Sequence, residues 1–314
     1  MAEMDTQVDP ALWPLVEAFP PIDISAEVLP GFRAAMVELS VKPDPATHAD
    51  VRIEEVKAED VRCLLFKPQR TSGGALLHIH GGGFVMGGPE MDVARNIELA
   101  RATGCVILSV DYRLAPEHPH PAGLEDCHTA LVWLLAQSKS LGVAPDRIGV
   151  IGESAGGGLA AGLALLARDR RSVALTCQVL IYPMLVPPEQ SIDVLLPDAR
   201  TGRYIWTRAS NKFAWSANLS GAAVNPATIA GLATDLTALP PALLAVGELD
   251  LFVYDNFAYV GKLLRAGCSV ESHLYPGAIH GFDRMVDAAV SQAYVRELVA
   301  FIKRHLGEDF RSQI

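Results

Sequence analysis

The sequence predicts an α/β fold: a mostly parallel sheet of eight strands with helices on both faces, interrupted once by a helical insertion. Three observations carry this. From about residue 75 onward, continuous apolar runs of strand length alternate with longer segments of helical period. The alternation fails between Val186 and about Ala223, where charges and the rings of Trp206, Phe213 and Trp215 replace the strand pattern. Half of the 314 residues are apolar, enough for the large core that a sheet covered on both faces needs.

The first 45 residues are proline-rich and hold two helix-like pieces, "ALWPLVEAF" and "GFRAAMVELS". Two alternating runs, "DVRIEEVKA" and "DVRCLLFKP", then read as adjacent antiparallel strands. The strand "GALLHIH" precedes a helix near Asp92–Thr103 that Gly104 stops. "CVILSV" precedes a helix near Gly123–Ser138, and "RIGVIG" precedes one near Ala155–Arg168. After the strand "ALTCQVLIYP" comes the insertion. "PALLAVGELD" resumes the pattern, followed by a helix near Tyr254–Ala266, the strand "CSVESHLYPG" and a long helix near Met285–His305. The divisions are therefore 1–45, a body of 46–185 and 224–314, and an insertion of 186–223.

Composition excludes several classes of function. A net charge of −10 with no Lys/Arg cluster leaves no face for nucleic acid. No apolar run is long and unbroken enough for a membrane span, and "MAEMDTQVDPALWPLV" lacks the basic and apolar regions of a secretory signal. The five cysteines, Cys63, Cys105, Cys127, Cys177 and Cys268, are scattered through apolar segments without a CxxC spacing. They read as small buried hydrophobes, and the expected location is cytoplasmic.

The chemistry concentrates at strand ends. "Gly152-Glu153-Ser154-Ala155-Gly156" joins an apolar strand to a helix. A strained turn there pushes the Ser154 hydroxyl out of the backbone, and Gly152 and Gly156 remove side chains that would clash. The helix N-terminus adds N–H donors and a positive dipole end. Such a serine suits attack on a carbonyl, although the pentapeptide alone is a weak signal. A Walker phosphate loop is excluded because no lysine follows the glycines. "HIHGGGFVMGG" follows an earlier strand and is far more specific. Its consecutive glycines let backbone N–H groups approach a developing oxyanion. Gly82, Gly83 and Ala155 are the candidate donors. Gly81 belongs to the same loop, which His80 is expected to anchor by hydrogen bonding.

A serine hydroxyl needs a base, and the base needs a carboxylate to orient it. Of nine histidines, His280 in "GAIHGF" follows a C-terminal strand and can reach the carboxyl edge of the sheet. His48 and His305 read as solvated, His118 and His120 lie in a proline-rich loop, and His128 lies in a helix. The two His-x-His pairs, His78/His80 and His118/His120, lack a third ligand for zinc, so neither a metal nor an organic cofactor is expected. Asp250 ends the strand "PALLAVGELD", with Glu248 and Asp255 as the competing acids. The order Ser154, Asp250, His280 is the serine–acid–histidine order of an α/β-hydrolase.

Taken together, "HGGGF", "DYRLAPEHPHPAGLEDC", "GESAGGGLA", "GELDLFVYDNFAY" and "HGF" resemble the hormone-sensitive-lipase-like esterases of the α/β-hydrolase fold. The match runs over roughly residues 45–305 in the family's order. It implies Ser154 as nucleophile, His280 as general base and acid, and Asp250 as its orienting carboxylate. It also implies a cap made from residues 1–45 and the insertion 186–223. Asp111, Arg113 and Glu117 match family positions that buttress the oxyanion loop. Glu153 and Leu251 depart from the family, which often has Asp or Thr, and Pro, there. The expected function is a serine carboxylesterase acting through an acyl-enzyme on small, short-chain acyl esters. An amidase or deacetylase with the same triad is the alternative, and a non-catalytic binding protein of this fold is disfavoured by the presence of His280. A homodimer through the last strand, an exposed edge, and its flanking helices is also expected.

Overall fold

The computed structural model describes residues 7–19, 22–39 and 48–307, so the division placed after residue 45 lies outside the described residues. Helices α1 (Trp13–Ala18) and α2 (Leu29–Leu39) come first. Strands β1 (Val51–Ala58) and β2 (Val61–Pro68) form the antiparallel hairpin. Then follow β3 (Ala75–Ile79), α3 (Val93–Thr103), β4 (Val106–Val110), α4 (Ala122–Gln137), β5 (Ile148–Glu153), α5 (Ala155–Arg170) and β6 (Gln178–Ile181). The insertion carries α6 (Ile192–Leu195) and α7 (Arg208–Leu219). The chain closes with β7 (Ala242–Gly247), α8 (Val253–Arg265), β8 (Val270–Tyr275) and α9 (Ala289–Leu306).

These strands make one eight-stranded sheet in the order β1-β2-β4-β3-β5-β6-β7-β8. β2 runs antiparallel to both β1 and β4, and every later pairing is parallel. This is the α/β-hydrolase architecture. Every residue of β3 to β7 is buried, as their unbroken apolar sequence requires. β8, at the edge, is mostly partly exposed. α3 packs on α9, and α4 packs on α5, so helices cover both faces of the sheet.

Local chemistry explains where elements stop. Gly104 ends α3 in the left-handed conformation, φ 70°, and its N–H bonds the Ala100 carbonyl. β6 is shorter than its apolar run suggests, because Tyr182 turns to φ 35° and Pro183 has no N–H for a ladder. α5 is buried over most of its length, which its Gly/Ala sequence permits at close range: a Cβ on Gly158 would lie 2.2 Å from the Met184 carbonyl oxygen. The five cysteines are buried and free. His305 departs from expectation, being half-buried against the Phe301 ring rather than solvated. Among the described residues, no helix is long and apolar enough to cross a membrane.

Candidate active site

Ser154 stands between β5 and α5 at φ 56°, ψ −120°, a region that side-chain-bearing residues rarely adopt. Its neighbours show why glycines flank it. A Cβ on Gly152 would lie 2.2 Å from the Gly156 carbonyl oxygen, and one on Gly156 would lie 2.0 Å from that of Ile79. Gly156→Ala is therefore expected to abolish soluble folded protein, as judged by circular dichroism of the purified chain.

Strand topology brings the other groups to this turn. Ser154 follows β5, Asp250 follows β7 and His280 follows β8, all at the carboxyl ends of parallel strands. His280 Nε2 is 3.0 Å from Ser154 Oγ, and its Nδ1 is 2.7 Å from Asp250 Oδ2. All three residues are buried. An ionised carboxylate only accepts, so the Nδ1 proton faces Asp250 and Nε2 presents its lone pair to the hydroxyl. The second Asp250 oxygen accepts the Phe252 N–H at 2.9 Å.

The competing acids face elsewhere. Glu248 pairs with Arg200 of the insertion at 3.3 Å and accepts the Gly277 N–H. Asp255 accepts from Ser191 Oγ at 2.6 Å and the Ile192 N–H at 2.8 Å, while burial raises its carboxyl above the ordinary range. Both hold the insertion to the body.

The glycine loop after β3 lies beside the serine: a Cβ on Gly81 would be 3.5 Å from Ser154 Cβ. Gly82 and Gly83 sit at φ 113° and 61°. Among the described residues, the N–H groups of Gly82, Gly83 and Ala155 donate to no protein acceptor. The loop is held from several sides. His80 stacks on Tyr112 with centroids 4.2 Å apart, and its Nδ1 donates to the Gly81 carbonyl at 2.7 Å. Burial lowers the His80 pKa and keeps the ring neutral. Arg33 donates to the Val85 and Ala115 carbonyls and pairs with Glu117 at 2.7 Å. Asp111 holds Arg62, which also grips Glu90 at the end of the loop. Arg113 instead ties to Asp126 on α4, at 2.8 Å.

Beneath the serine lies a buried ionic cluster that its neighbour Glu153 joins. Arg95 Nη1 is 2.6 Å from Glu153, its Nη2 pairs with Asp283, and Asp92 is 3.7 Å away. His78 Nε2 is 3.2 Å from Glu153, and its Nδ1 is 2.8 Å from Ser109 Oγ. Burial would raise the Glu153 carboxyl, but His78 and Arg95 outweigh it and hold it at about 2. Burial likewise opposes charge on His78, yet Glu153 and Asp92 raise its pKa overall. Asp283 also accepts from Tyr182, whose ring packs 4.6 Å from the His280 imidazole. One guanidinium thus joins the residue before the serine to the loop that carries the histidine. Ligand-type atoms of His78, Asp92 and Glu153 lie within 4.8 Å of one another. Arg95 lies against both carboxylates and Arg284 is 3.5 Å from Asp92, and guanidinium groups there oppose entry of a divalent cation. Arg95, Asp283 and Tyr182 carry no local motif in the sequence; each acts through a partner distant in the chain.

The insertion and the N-terminal segment meet above the triad. Ser210 Oγ accepts the Ile24 N–H at 2.9 Å, Thr207 bonds Asp23, and Trp13 meets Tyr204 edge-on. Trp215 contacts Phe84 of the glycine loop at 5.1 Å, and Trp206 lies between that loop and His280. Phe19, at the end of α1, is exposed.

Known proteins resemble this chain in sequence and in fold. The profile of a family described as alpha/beta hydrolase fold matches residues 76–284. Carboxylesterase NlhH of Mycobacterium tuberculosis is 34% identical, covering 95% of this chain and 96% of its own. An arylesterase of Saccharolobus solfataricus is 31% identical, covering 77% of this chain and 79% of its own. Among solved structures, a bacterial heroin esterase superposes with a TM-score of 0.86 at 34% identity, covering 96% of this chain and 98% of its own. With the sheet order and the three strand-end residues, these matches show that the chain belongs to the hormone-sensitive-lipase-like esterases of the α/β-hydrolase fold.

Proposed function

We propose that this carboxylic ester hydrolase works by two-step acyl transfer through Ser154. His280 takes the hydroxyl proton as Ser154 Oγ attacks the ester carbonyl, and Asp250 orients the ring and stabilises the imidazolium. The N–H groups of Gly82, Gly83 and Ala155 receive the oxyanion, at about 3 kcal/mol of transition-state stabilisation for each donor. His280 then protonates the departing alcohol. Water repeats the sequence, breaking the acyl–Ser154 bond and releasing the acid. No step draws on a metal or an organic cofactor. The observation that carries this reading is the unbroken hydrogen-bond chain from Ser154 through His280 to Asp250, beside three N–H groups that donate to no acceptor among the described residues.

In this reading the described parts of 1–45, together with 186–223, form the cap, and the described parts of 46–185 and 224–314 form the catalytic body; the remaining residues of these ranges lie outside the described residues. The substrate is a small ester with a short acyl chain. A roofed pocket gains about 0.8 kcal/mol per buried methylene only until the chain meets its wall. Across p-nitrophenyl esters from acetate to palmitate, kcat/KM is expected to peak at short acyl chains and to fall beyond roughly eight carbons. A maximum at palmitate, or activation at an emulsion surface, would reject the short-chain assignment. A serine-directed organophosphonate should stop turnover and add its mass at Ser154.

Two further proposals stand on separate observations. The outer edge of β8, with Leu274 exposed, supports a homodimer through that strand; a monomer mass by light scattering at micromolar concentration would exclude it. Five free, buried cysteines support a reducing, cytoplasmic setting.

A further inference from the structure

Trp206 is held in place at a conformational cost. The preceding residue, Ile205, is β-branched yet sits at φ 62°. The Trp206 N–H bonds the Tyr204 carbonyl at 2.7 Å, which makes a tight three-residue turn centred on Ile205. The indole is buried, and its Nε1–H reaches Asn211 Oδ1 on α7 at 3.3 Å. Its six-membered ring covers Gly83 so closely that a Cβ there would lie 2.3 Å from Cη2. The same indole is 6.4 Å from the His280 imidazole, tilted by 33°. A tryptophan that only filled the interior could do so from relaxed backbone. Strain of this kind persists where the surrounding structure fixes a functional side chain.

We infer that Trp206 is a specificity-determining residue that walls the alcohol side of the site and limits the bulk of the alcohol; this rests on the acyl transfer proposed above. During that reaction the leaving oxygen must lie within hydrogen-bond reach of His280 Nε2 to receive its proton. The carbonyl oxygen must at the same time face the N–H groups of Gly82 and Gly83. The first carbon of the alcohol therefore departs on the side bordered by His280 and Gly83, and the indole borders that side. A primary alkoxy group or a flat phenoxy group can lie along the indole face. A carbon bearing three substituents collides with the ring. The acyl chain leaves the carbonyl in another direction, so the two halves of the ester are measured by different walls.

The test uses two matched series on wild type, Trp206→Ala and Trp206→Phe. One series holds the acid as acetate and varies the alcohol through ethyl, isopropyl, cyclohexyl and tert-butyl. The other holds p-nitrophenol and lengthens the acyl chain. In Trp206→Ala, kcat/KM for tert-butyl acetate relative to ethyl acetate should rise at least about tenfold, the scale of small steric changes in a pocket. The acyl optimum should stay where it is in wild type, and Trp206→Phe should fall between. An unchanged alcohol ratio in folded Trp206→Ala, or a moved acyl optimum with an unchanged alcohol ratio, would overturn the inference. Should Trp206→Ala not fold, Trp206→Leu is read by the same ratio. A wild type that hydrolyses no ester in either series defeats the acyl-transfer reading instead, and is distinguishable on that ground.

Discussion

Ser154→Ala and His280→Ala are each expected to lower kcat by at least about 10³-fold while leaving the chain folded, because nucleophile and base act as one unit. Each change only shortens a buried side chain at the carboxyl edge of the sheet, so circular dichroism should be unchanged. Asp250→Asn should cost about 10⁴-fold, since an amide at that position favours the wrong imidazole tautomer. The two rival acids give the control. Glu248 and Asp255 spend their oxygens on Arg200, Gly277, Ser191 and Ile192, none of which reacts. Glu248→Gln and Asp255→Asn should therefore lose less activity than Asp250→Asn. If Asp255→Asn proved the most damaging of the three, Asp250 would not be the orienting carboxylate.

A large loss of stability, short of failure to fold, is expected from Arg95→Met. This guanidinium faces Glu153, Asp283 and Asp92; its loss leaves Asp283 with no ion-pair partner among the described residues and Glu153 with His78 alone. Removing one partner of a buried ionic set costs about 3–5 kcal/mol, measured as the change in urea unfolding free energy at pH 7. The pH dependence follows from Glu153. Its folded carboxyl is held at about 2, below the ordinary 4.5, so its contribution is complete above about pH 4.5 and is lost as pH falls towards 2. Wild type and Arg95→Met should accordingly converge in stability across that window. Equal unfolding free energies at pH 7 would show that the cluster is neutralised without Arg95.

The fold was legible because its strands are buried on both faces, which makes them continuous apolar runs, and because glycines such as Gly104 mark helix ends. The proposed catalytic residues were picked out for a related reason: Ser154, Asp250 and His280 lie just beyond the carboxyl ends of β5, β7 and β8, where position in the sequence predicts position in the sheet. What stayed hidden depends on partners far along the chain. Arg95 looks like any exposed arginine of an amphipathic helix until β5 and the His280 loop come to rest against it. Trp206 looked like one of several rings available for packing, and only the backbone of Ile205 sets it apart. The short β6 and the half-buried His305 were misjudged because apolar runs and terminal helices do not reveal where the backbone turns or what packs over them.

The ionic cluster under Ser154 also bears on when the protein can become itself during synthesis. Arg95 and Asp283 are 188 residues apart, and Ser154 and His280 are 126 apart. A ribosome that has released α3 and β5 has delivered Arg95, Glu153 and the turn that strains Ser154, but none of the carboxyl-terminal groups that complete their surroundings. Contacts of such long range form late, and partly made sheets expose strand edges while they wait. The nascent intermediate thus carries an arginine with one buried partner missing and, once β6 has joined β5, an unpaired β6 edge, until β7 and the segment after β8 emerge. Maturation is gated by the last quarter of the chain, where a chain cut before Asp283 would expose a half-neutralised interior to chaperones and proteases.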